Sequence, residues 1–409
     1  MEGFIIISQE SKVLEMLVKK LKNMGVDENS RIVITRAPGR ANIIGEHTDY
    51  NNGFVMPAAI NRYVYAAGAV TNENTATFFS FNMKQKKSLD LKRKIEFSKK
   101  DGWLNYIKGV FYEFRKLGYP IEGVTGVIYG TIPLGGGLSS SAALEISVAL
   151  MLSKLYGIRI NNIELANLGF RAENDFVKVS CGIMDQFASV LAKEETALFI
   201  DTNNQAFEYV PFPSSRIKLV LIDTKVKHNA PRVLNQRKKE CQDAIRMIRR
   251  HGLNITTLRD LSLNDFKKIK ELIPELYRKR VEHVIYENER VLYAKDALAN
   301  GNLELLGQLM YDSHGSCREL YEVSCAELDF IVDLAVGLSG VIGARMTGAG
   351  LGGNVLILAW EEAVQNIIEI ISEEYHKAFR IVPGTIISPP VDGVKIIYEG
   401  ALSSFTNKN

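Results

Sequence analysis

The sequence predicts an α+β protein that is divided into two domains. The chain has 409 residues, more than one ordinary hydrophobic core supports. Strand-like and helix-like patterns occur in both halves of the chain. Turn-forming residues are concentrated at about 200–215, and we expect a loop there. The predicted domains are therefore residues 1–208 and residues 209–409.

The first half is organised around a glycine-rich loop. Residues 9–24 have the helical spacing of apolar side chains. Segments rich in β-branched and aromatic residues predict strands at 31–36, 62–70 and 123–132. The third of these strands leads into the glycine-rich loop, which is followed by a helix ending at Gly157. Another helix is predicted over about 162–176.

The second half is predicted to begin and end with strands, with long charged helices between them. The predicted strands are 218–224, 354–360 and 394–398. The predicted helices are 232–250, 264–301 and 325–336. Both halves therefore mix helices and strands, which is the α+β class.

Charge and cysteine content argue against several classes of function. The 50 basic and 47 acidic residues leave a formal charge of +3, so neither nucleic acid nor a membrane is the expected partner. No apolar run approaches the length of a membrane span, and the N-terminus lacks the basic residues of a signal peptide. The four cysteines form no CxxC pair, which argues against a disulfide framework or a cysteine-rich zinc site. We expect a cytoplasmic protein.

The most informative motif is GGGLSSS at 135–141, between a predicted strand and a predicted helix. Glycines let the backbone approach a bulky anion, and the helix N-terminus directs free N–H groups and its positive dipole end toward that anion. The serine hydroxyls can contact phosphate or magnesium. No GK[ST] follows, so this is not a Walker loop. The alternative is a flexible turn, but the strand–loop–helix order favours phosphate binding.

A second glycine motif, GAGLGG at 348–353, spells the dinucleotide-binding fingerprint. That fingerprint should open a helix, whereas residues 354–360 are predicted to form a strand. We therefore reject a Rossmann fold. A loop close to a ligand and a simple tight turn both remain open.

Polar side chains are concentrated between residues 36 and 60, where Arg40, Glu46, His47 and Asp49 occur among glycines. Such a cluster suits the recognition of sugar hydroxyls, although an ordinary turn is the alternative. Asp185 lies among apolar neighbours, and a buried carboxylate usually has a cationic partner, for which we nominate Arg40.

Three further side chains are candidates for nucleotide or metal binding. Glu173 is a candidate magnesium ligand together with a serine hydroxyl, because magnesium prefers oxygen ligands. Trp103 and Tyr106 either stack on a base or pack in the core.

Together these segments resemble the GHMP kinase family, and within it the galactokinases. GRANIIGEHTDYNNGFVMPAAI (39–60) is similar to the galactokinase signature, PLGGGLSSSAA (133–143) to the ATP loop and MTGAGLGGN (346–354) to the third motif. The resemblance covers about residues 30–360. It implies a two-domain fold with the active site in the interdomain cleft. It also implies transfer of the γ-phosphate of ATP to the C1 hydroxyl of galactose, with Mg²⁺ as cofactor.

The resemblance also implies a role for each matching residue. Asp185 would be the catalytic base, and Arg40 would hold it ionised and stabilise the transferring phosphoryl group. The implied sugar-binding residues are Glu46, His47, Asp49 and Gly182. The implied ATP-binding residues are Trp103, Tyr106, Gly135, Gly136, Gly137, Leu138, Ser139, Ser140 and Ser141. The implied magnesium ligands are Ser141 and Glu173.

Two departures from the family pattern concern the third motif and the sugar pocket. Asn354 stands where the third motif commonly has cysteine. Segment 224–241 looks short and lacks the tyrosine that galactokinases place against the sugar. Its polar side chains are His228, Asn229, Arg232, Asn235 and Gln236. We therefore expect galactose to be phosphorylated together with at least one analogue modified at C2 or C4.

Two alternatives to a galactose kinase stay open. One is a GHMP kinase for another sugar, such as galactosamine or N-acetylgalactosamine. The other is a non-catalytic sugar sensor that kept the fold. The oligomeric state is also open, with a monomer favoured.

Overall fold

The computed structural model describes residues 2–227 and 230–406, which form two β-sheets packed with helices. The helices are α1 (Glu2–Asn23), α2 (Leu104–Lys116), α3 (Ser140–Leu155), α4 (Asn162–Arg171), α5 (Met184–Leu191), α6 (Ala230–Arg250), α7 (Leu263–Ile269), α8 (Glu275–Ala299), α9 (Leu303–Glu319), α10 (Ala326–Val336), α11 (Val364–Phe379) and α12 (Leu402–Thr406). The strands are β1 (Arg31–Ile44), β2 (Phe54–Thr71), β3 (Thr75–Ser80), β4 (Gln85–Asp90), β5 (Gly123–Gly130), β6 (Thr196–Asp201), β7 (Ala206–Pro211), β8 (Ile217–Asp223), β9 (Val341–Thr347), β10 (Asn354–Trp360), β11 (Gly384–Ser388) and β12 (Lys395–Ala401). The α+β class is confirmed.

The first sheet has eight strands, in the order β12-β1-β2-β5-β3-β4, with β6 paired to β2 and β7 paired to β6. Its strands are antiparallel except for the β3–β5 pair. Side chains alternate between its two faces, as strand geometry requires. Val33 packs in the core that contains α3, whereas Ile32 and Ile34 pack with Leu17 and Leu21 of α1.

The second sheet has four antiparallel strands, in the order β11-β8-β10-β9. Val220 and Ile222 of β8 face a core formed with the helices of the second half. Leu219 and Leu221 of the same strand face the core of the first sheet. The two sheets therefore share apolar contacts, and β12 returns from the second half to complete the first sheet.

Two predictions about secondary structure were wrong. The single helix expected over 264–301 is interrupted before Glu275, because Pro274 lacks an N–H and keeps Ile273 extended. In the loop expected at 200–215, Ala206–Pro211 forms β7 instead. Of the residues in β7 only Val210 is buried, and turn-forming residues at 203–205 and 213–215 flank this six-residue edge strand, which explains why a loop was predicted.

Where the first domain ends, between residues 208 and 209, stays a proposal, because β7 crosses that point and β12 returns to the first sheet. Helices α2, α5, α9, α11 and α12 were not predicted from the sequence. Gly307 lowers the helical propensity of α9, but a Cβ at this position would lie 1.8 Å from the Ile342 carbonyl oxygen of β9. Close packing of helix on strand therefore requires this glycine. Among the described helices, none combines the length and apolar character that crossing a bilayer requires.

Candidate active site

Arg40, which is buried, and Asp185, which is partly exposed, form an ion pair, which is the contact that the sequence suggests. Arg40 lies in β1 and is 5% exposed, and Asp185 lies in the first turn of α5. The Arg40 Nε and Nη2 atoms are 2.9 and 2.7 Å from Oδ1 of Asp185. The Arg40 Nη1 atom donates to the carbonyl oxygen of Gly137 at 2.6 Å. One guanidinium therefore connects a carboxylate to the glycine-rich loop.

The glycine-rich loop leads from β5 into the N-terminus of α3. Gly135, Gly137 and Ser139 have φ angles of 76°, 74° and 61°, in the region that favours glycine. The backbone N–H of Arg40 donates to the carbonyl oxygen of Leu138 at 3.3 Å. The loop carbonyls thus point into the protein, while the start of α3 faces a cavity. This arrangement favours an anion at the helix N-terminus.

The second glycine motif contacts the first one. As predicted, it is a loop followed by a strand, β10, and the element before it is strand β9. A Cβ at Gly348 would lie 2.8 Å from the Gly137 carbonyl oxygen, so the two loops touch through backbone atoms. The Asn354 side chain, 1% exposed, donates to the carbonyl oxygen of Gly136 at 2.6 Å. The residue that departs from the family pattern therefore supports the glycine-rich loop.

Glu173 faces the same cavity from a π-helical turn, Ala172–Val177, that follows α4. Gln186 donates to its Oε2 atom at 2.7 Å, and the Ser141 hydroxyl also hydrogen-bonds to the carboxylate. Burial, followed by the charge of Asp185, raises the pKa of Glu173 to about 7. Glu145, which the sequence analysis missed, is buried nearby, and burial raises its pKa well above the ordinary value. The sequence signal that could have identified Glu145 is the occurrence of a glutamate within the apolar run of α3.

The polar loop between β1 and β2 is held by side chains from the second half of the chain. The Glu287 carboxylate of α8 accepts hydrogen bonds from the backbone N–H groups of Gly45 and Glu46, at 2.9 and 3.1 Å. Glu46 itself forms an ion pair with buried Arg345 at 2.7 Å and accepts from the Asn42 side chain. These buried charges fix where the loop lies.

His47 and Asp49 present side chains from that loop to the cavity. His47 has a φ of 62°, and its Nδ1 atom is 2.7 Å from the Tyr50 hydroxyl. Burial lowers the pKa of His47 to about 3, so its ring is neutral at physiological pH. Burial, followed by the charge of Asp185, raises the pKa of Asp49 to about 7. A Cβ at Gly182 would lie 2.1 Å from Oδ2 of Asp49, so this position requires glycine.

One cavity of about 400 Å³ is lined by residues from both halves of the chain. Every side chain and backbone segment predicted for the site lines it except Gly136, whose carbonyl faces Asn354 instead. Trp103 and Tyr106 are at the cavity wall and also pack against the first core, so core packing is observed while stacking on a base stays a prediction. The lining residues not predicted are Tyr50, Leu134, Leu144, Val179, Cys181, Met184, Leu234, Gly348 and Ala349.

Within the described part of segment 224–241, the side chain that lines the cavity is apolar. Leu234 of α6 lines it, whereas Arg232, Asn235 and Gln236 do not. His228 and Asn229 lie outside the described residues. The periodicity of α6 could have identified Leu234, since it shares a helix face with the buried Arg237 and Cys241.

The raised pKa of Glu173 predicts a pH-dependent stability difference. A folded-state pKa of about 7 means that the folded protein keeps a proton that the unfolded chain loses above about pH 4.3. The wild type should therefore lose stability relative to Glu173→Gln as the pH rises from about 5 to 7.5, by on the order of 2–4 kcal/mol. Thermal melts at both pH values measure this difference, with exposed Glu73→Gln as control. If the difference in stability between the wild type and Glu173→Gln does not change with pH, the pKa of Glu173 is not raised.

Comparison with known proteins agrees with this geometry. The galactokinase galactose-binding signature matches residues 22–70, the GHMP kinases N terminal domain matches residues 105–193 and the GHMP kinases C terminal domain matches residues 294–377. The galactokinase of Thermotoga maritima is 42% identical over 347 residues, which are 85% of this chain and 95% of that protein. The galactokinase of Thermococcus kodakarensis is 37% identical and covers 88% of this chain and 99% of its own length.

Solved structures give the same result. Lactococcus lactis galactokinase in complex with galactose matches with a TM-score of 0.89 and 32% identity, over 94% of this chain and 99% of that one. The mevalonate kinase of Methanococcus jannaschii matches with a TM-score of 0.62 at 20% identity, over 88% of this chain and 98% of that one, and shares the fold. With its two-domain fold and its identity to these relatives over most of its length, the chain belongs to the galactokinase family of GHMP kinases.

Proposed function

We propose that this protein transfers the γ-phosphoryl group of ATP to the C1 hydroxyl of galactose. The observation that carries the proposal is the position of the Arg40–Asp185 pair. It lies in one cavity between a glycine-rich loop that suits phosphate and a polar loop that suits hydroxyl groups. The galactose bound to the Lactococcus lactis relative supports the choice of sugar.

Asp185 is the proposed proton acceptor. Both of its contacts with Arg40 use the same oxygen, Oδ1, which leaves Oδ2 outside the ion pair. A carboxylate in this position accepts the proton of the C1 hydroxyl while the C1 oxygen of the sugar attacks the γ-phosphorus of ATP. The Arg40 guanidinium bridges Asp185 and Gly137, so it lies beside the place where negative charge develops and is transferred.

The nucleotide is proposed to lie along the glycine-rich loop. Gly135–Ser141 and the first turn of α3 would hold its phosphates, because helix N-terminal N–H groups and serine hydroxyls are suited to anions. Ser139 is 7% exposed in a left-handed backbone conformation, and its hydroxyl has no hydrogen-bond partner within the described part of the chain. Trp103 and Tyr106 would flank the adenine.

The sugar is proposed to contact Glu46, His47, Asp49 and the backbone at Gly182. Neutral His47 can both donate and accept, and Asp49, with a pKa of about 7, is available as an acceptor or as a donor. Glu46 is held by Arg345 and Asn42, and a carboxylate has further lone pairs for a sugar hydroxyl. Paired donors and acceptors of this kind are what a hexose requires.

Magnesium is the proposed cofactor, and the residues present fit it. Ser141 and Glu173 are hydrogen-bonded oxygen donors at the cavity wall, next to the proposed phosphate site. Within residues 2–227 and 230–406, no three or more His, Cys, Asp and Glu side chains are grouped to hold a metal. Magnesium usually takes only one or two protein ligands and completes its shell with phosphate oxygens and water. When bound, it would neutralise charge on the phosphates.

Two further properties remain proposals. The four cysteines carry free thiols, which supports a reducing compartment such as the cytoplasm. A monomer remains the favoured oligomeric state.

Galactose-dependent release of ADP tests the proposed function. The wild-type protein should release one ADP for each galactose consumed, and the product should carry phosphate at C1. Asp185→Asn keeps the shape of the side chain but removes the proton acceptor, so kcat should fall by about 10²- to 10⁴-fold with little change in the KM for ATP. The matched control is Asp175→Asn, which changes an exposed aspartate in the neighbouring π-helical turn.

Two outcomes would contradict the proposal. Absence of ADP release with galactose would remove galactose as the substrate and leave a kinase for another sugar or a sensor. Near-normal turnover by Asp185→Asn would remove the role of Asp185 as the base.

Magnesium titration tests Glu173 separately. The amide of Glu173→Gln binds a hard dication less well than a carboxylate does. The variant should therefore need several-fold more magnesium for half-maximal activity, and nucleotide binding measured by calorimetry should show the same shift. If both magnesium dependences equal those of the wild type, Glu173 is not a magnesium ligand.

A further inference from the structure

Leu234 is an apolar wall residue of the cavity that the proposed function does not use. Helix α6 packs against residues 49–51, beside Asp49 of the proposed sugar site. Leu234, in the second turn of this helix, lines the cavity and is half-buried. Its neighbours along that wall, His47, Asp49 and Tyr50, are all polar.

The orientation of α6 is fixed by buried polar contacts. Cys241 and Arg237 follow Leu234 at spacings of seven and three residues, so the three share one helix face. The Cys241 Sγ atom is 3.2 Å from the Tyr321 hydroxyl, which is 3.0 Å from the hydroxyl of Tyr50. The Arg237 guanidinium forms an ion pair with Glu240 and donates to the Glu322 carbonyl. These contacts keep the face that carries Leu234 turned toward the polar loop.

A leucine at this position has a chemical consequence for a bound hexose. Each ring hydroxyl of a hexose loses water on binding and regains hydrogen bonds only where the wall offers a donor or an acceptor. Leucine offers neither. A hydroxyl that faces Leu234 therefore gains nothing from this wall, and its removal from the sugar loses nothing there.

We propose that Leu234 is a specificity-determining residue of the sugar site, and that it makes the protein tolerant of a galactose analogue lacking one hydroxyl group. The proposal rests on the proposed function and defines its substrate class as galactose together with a mono-deoxygalactose. The polar wall residues would still discriminate against analogues that lack one of the remaining hydroxyl groups.

The test compares galactose with its 2-, 3-, 4- and 6-deoxy analogues in four proteins. These are the wild type, Leu234→Asn, Leu234→Tyr and Asn235→Tyr. Asn235 is the next residue of α6, is exposed and does not line the cavity, so Asn235→Tyr adds the same ring outside the site. Both kcat/KM with ATP and sugar binding by calorimetry without ATP are measured.

For the wild type, one deoxy analogue should be within about twofold of galactose in both measurements. The Leu234 substitutions supply a hydrogen-bonding group. In both variants, the ratio of galactose to that same analogue should therefore rise by about 2- to 13-fold, in kcat/KM and in binding affinity. Asn235→Tyr should leave all ratios unchanged. Leu234→Asn is close in size to the native side chain, which keeps the comparison available if the larger tyrosine prevents folding.

Three outcomes separate this inference from the proposed function. The role of Leu234 is overturned if the ratio of galactose to the deoxy analogue is the same in both Leu234 variants as in the wild type. It is also overturned if Asn235→Tyr changes this ratio equally. If galactose binds without being phosphorylated, the proposed function fails while the binding ratios still decide the role of Leu234. If neither galactose nor any deoxy analogue binds, both proposals fail.

Discussion

The buried charge of Arg40 is the constraint on which the site depends. A guanidinium that is 5% exposed must have compensating partners, because burying an unpaired charge costs several kcal/mol. Its partners are Asp185 at the start of α5 and the carbonyl of Gly137 in the glycine-rich loop. The contacts of this one guanidinium therefore bring together strand β1, helix α5 and the glycine-rich loop. In the proposed reaction, the sugar hydroxyl and the γ-phosphate of ATP meet at this point.

Around that point, the second half of the chain positions the first. Glu287 holds the backbone at Gly45 and Glu46, and Arg345 holds the Glu46 side chain. The pKa of Glu287 is lowered: burial alone would raise it, but the guanidinium of Arg290 and the other nearby cations outweigh burial. The polar loop between β1 and β2 is thus fixed by ionic contacts from residues about 240 and 300 positions away in the sequence. Removing one member would leave its partner buried and unpaired.

The sequence could predict the features that follow from local rules. The glycine-rich loop follows from its glycines and from the strand and helix beside it, and the strand after GAGLGG ruled out the dinucleotide fold. The Arg40–Asp185 pair followed from the requirement that a buried carboxylate have a cation. By contrast, Glu287 lies in a segment with no distinctive motif and Arg345 lies just before the third motif, and only the tertiary fold brings their side chains to the loop.

Errors in secondary structure have equally local causes. The edge strand β7 has only six residues and lies between turn-forming residues at 203–205 and 213–215, so the flanking residues dominate the local pattern and predict a loop. Leu234 was not predicted because polar side chains are the expected sugar contacts in segment 224–241. Helix α6 instead places a leucine at the cavity.

The central claim is that Asp185 faces the hydroxyl that receives the phosphoryl group. A crystal structure of the protein with galactose and a non-hydrolysable ATP analogue tests it most directly. The account predicts a carboxylate oxygen of Asp185 within hydrogen-bond distance, about 2.6–3.2 Å, of the C1 oxygen, with the γ-phosphate on the opposite side of that oxygen. A galactose whose C1 hydroxyl lies away from Asp185, with another hydroxyl in its place, would contradict the account.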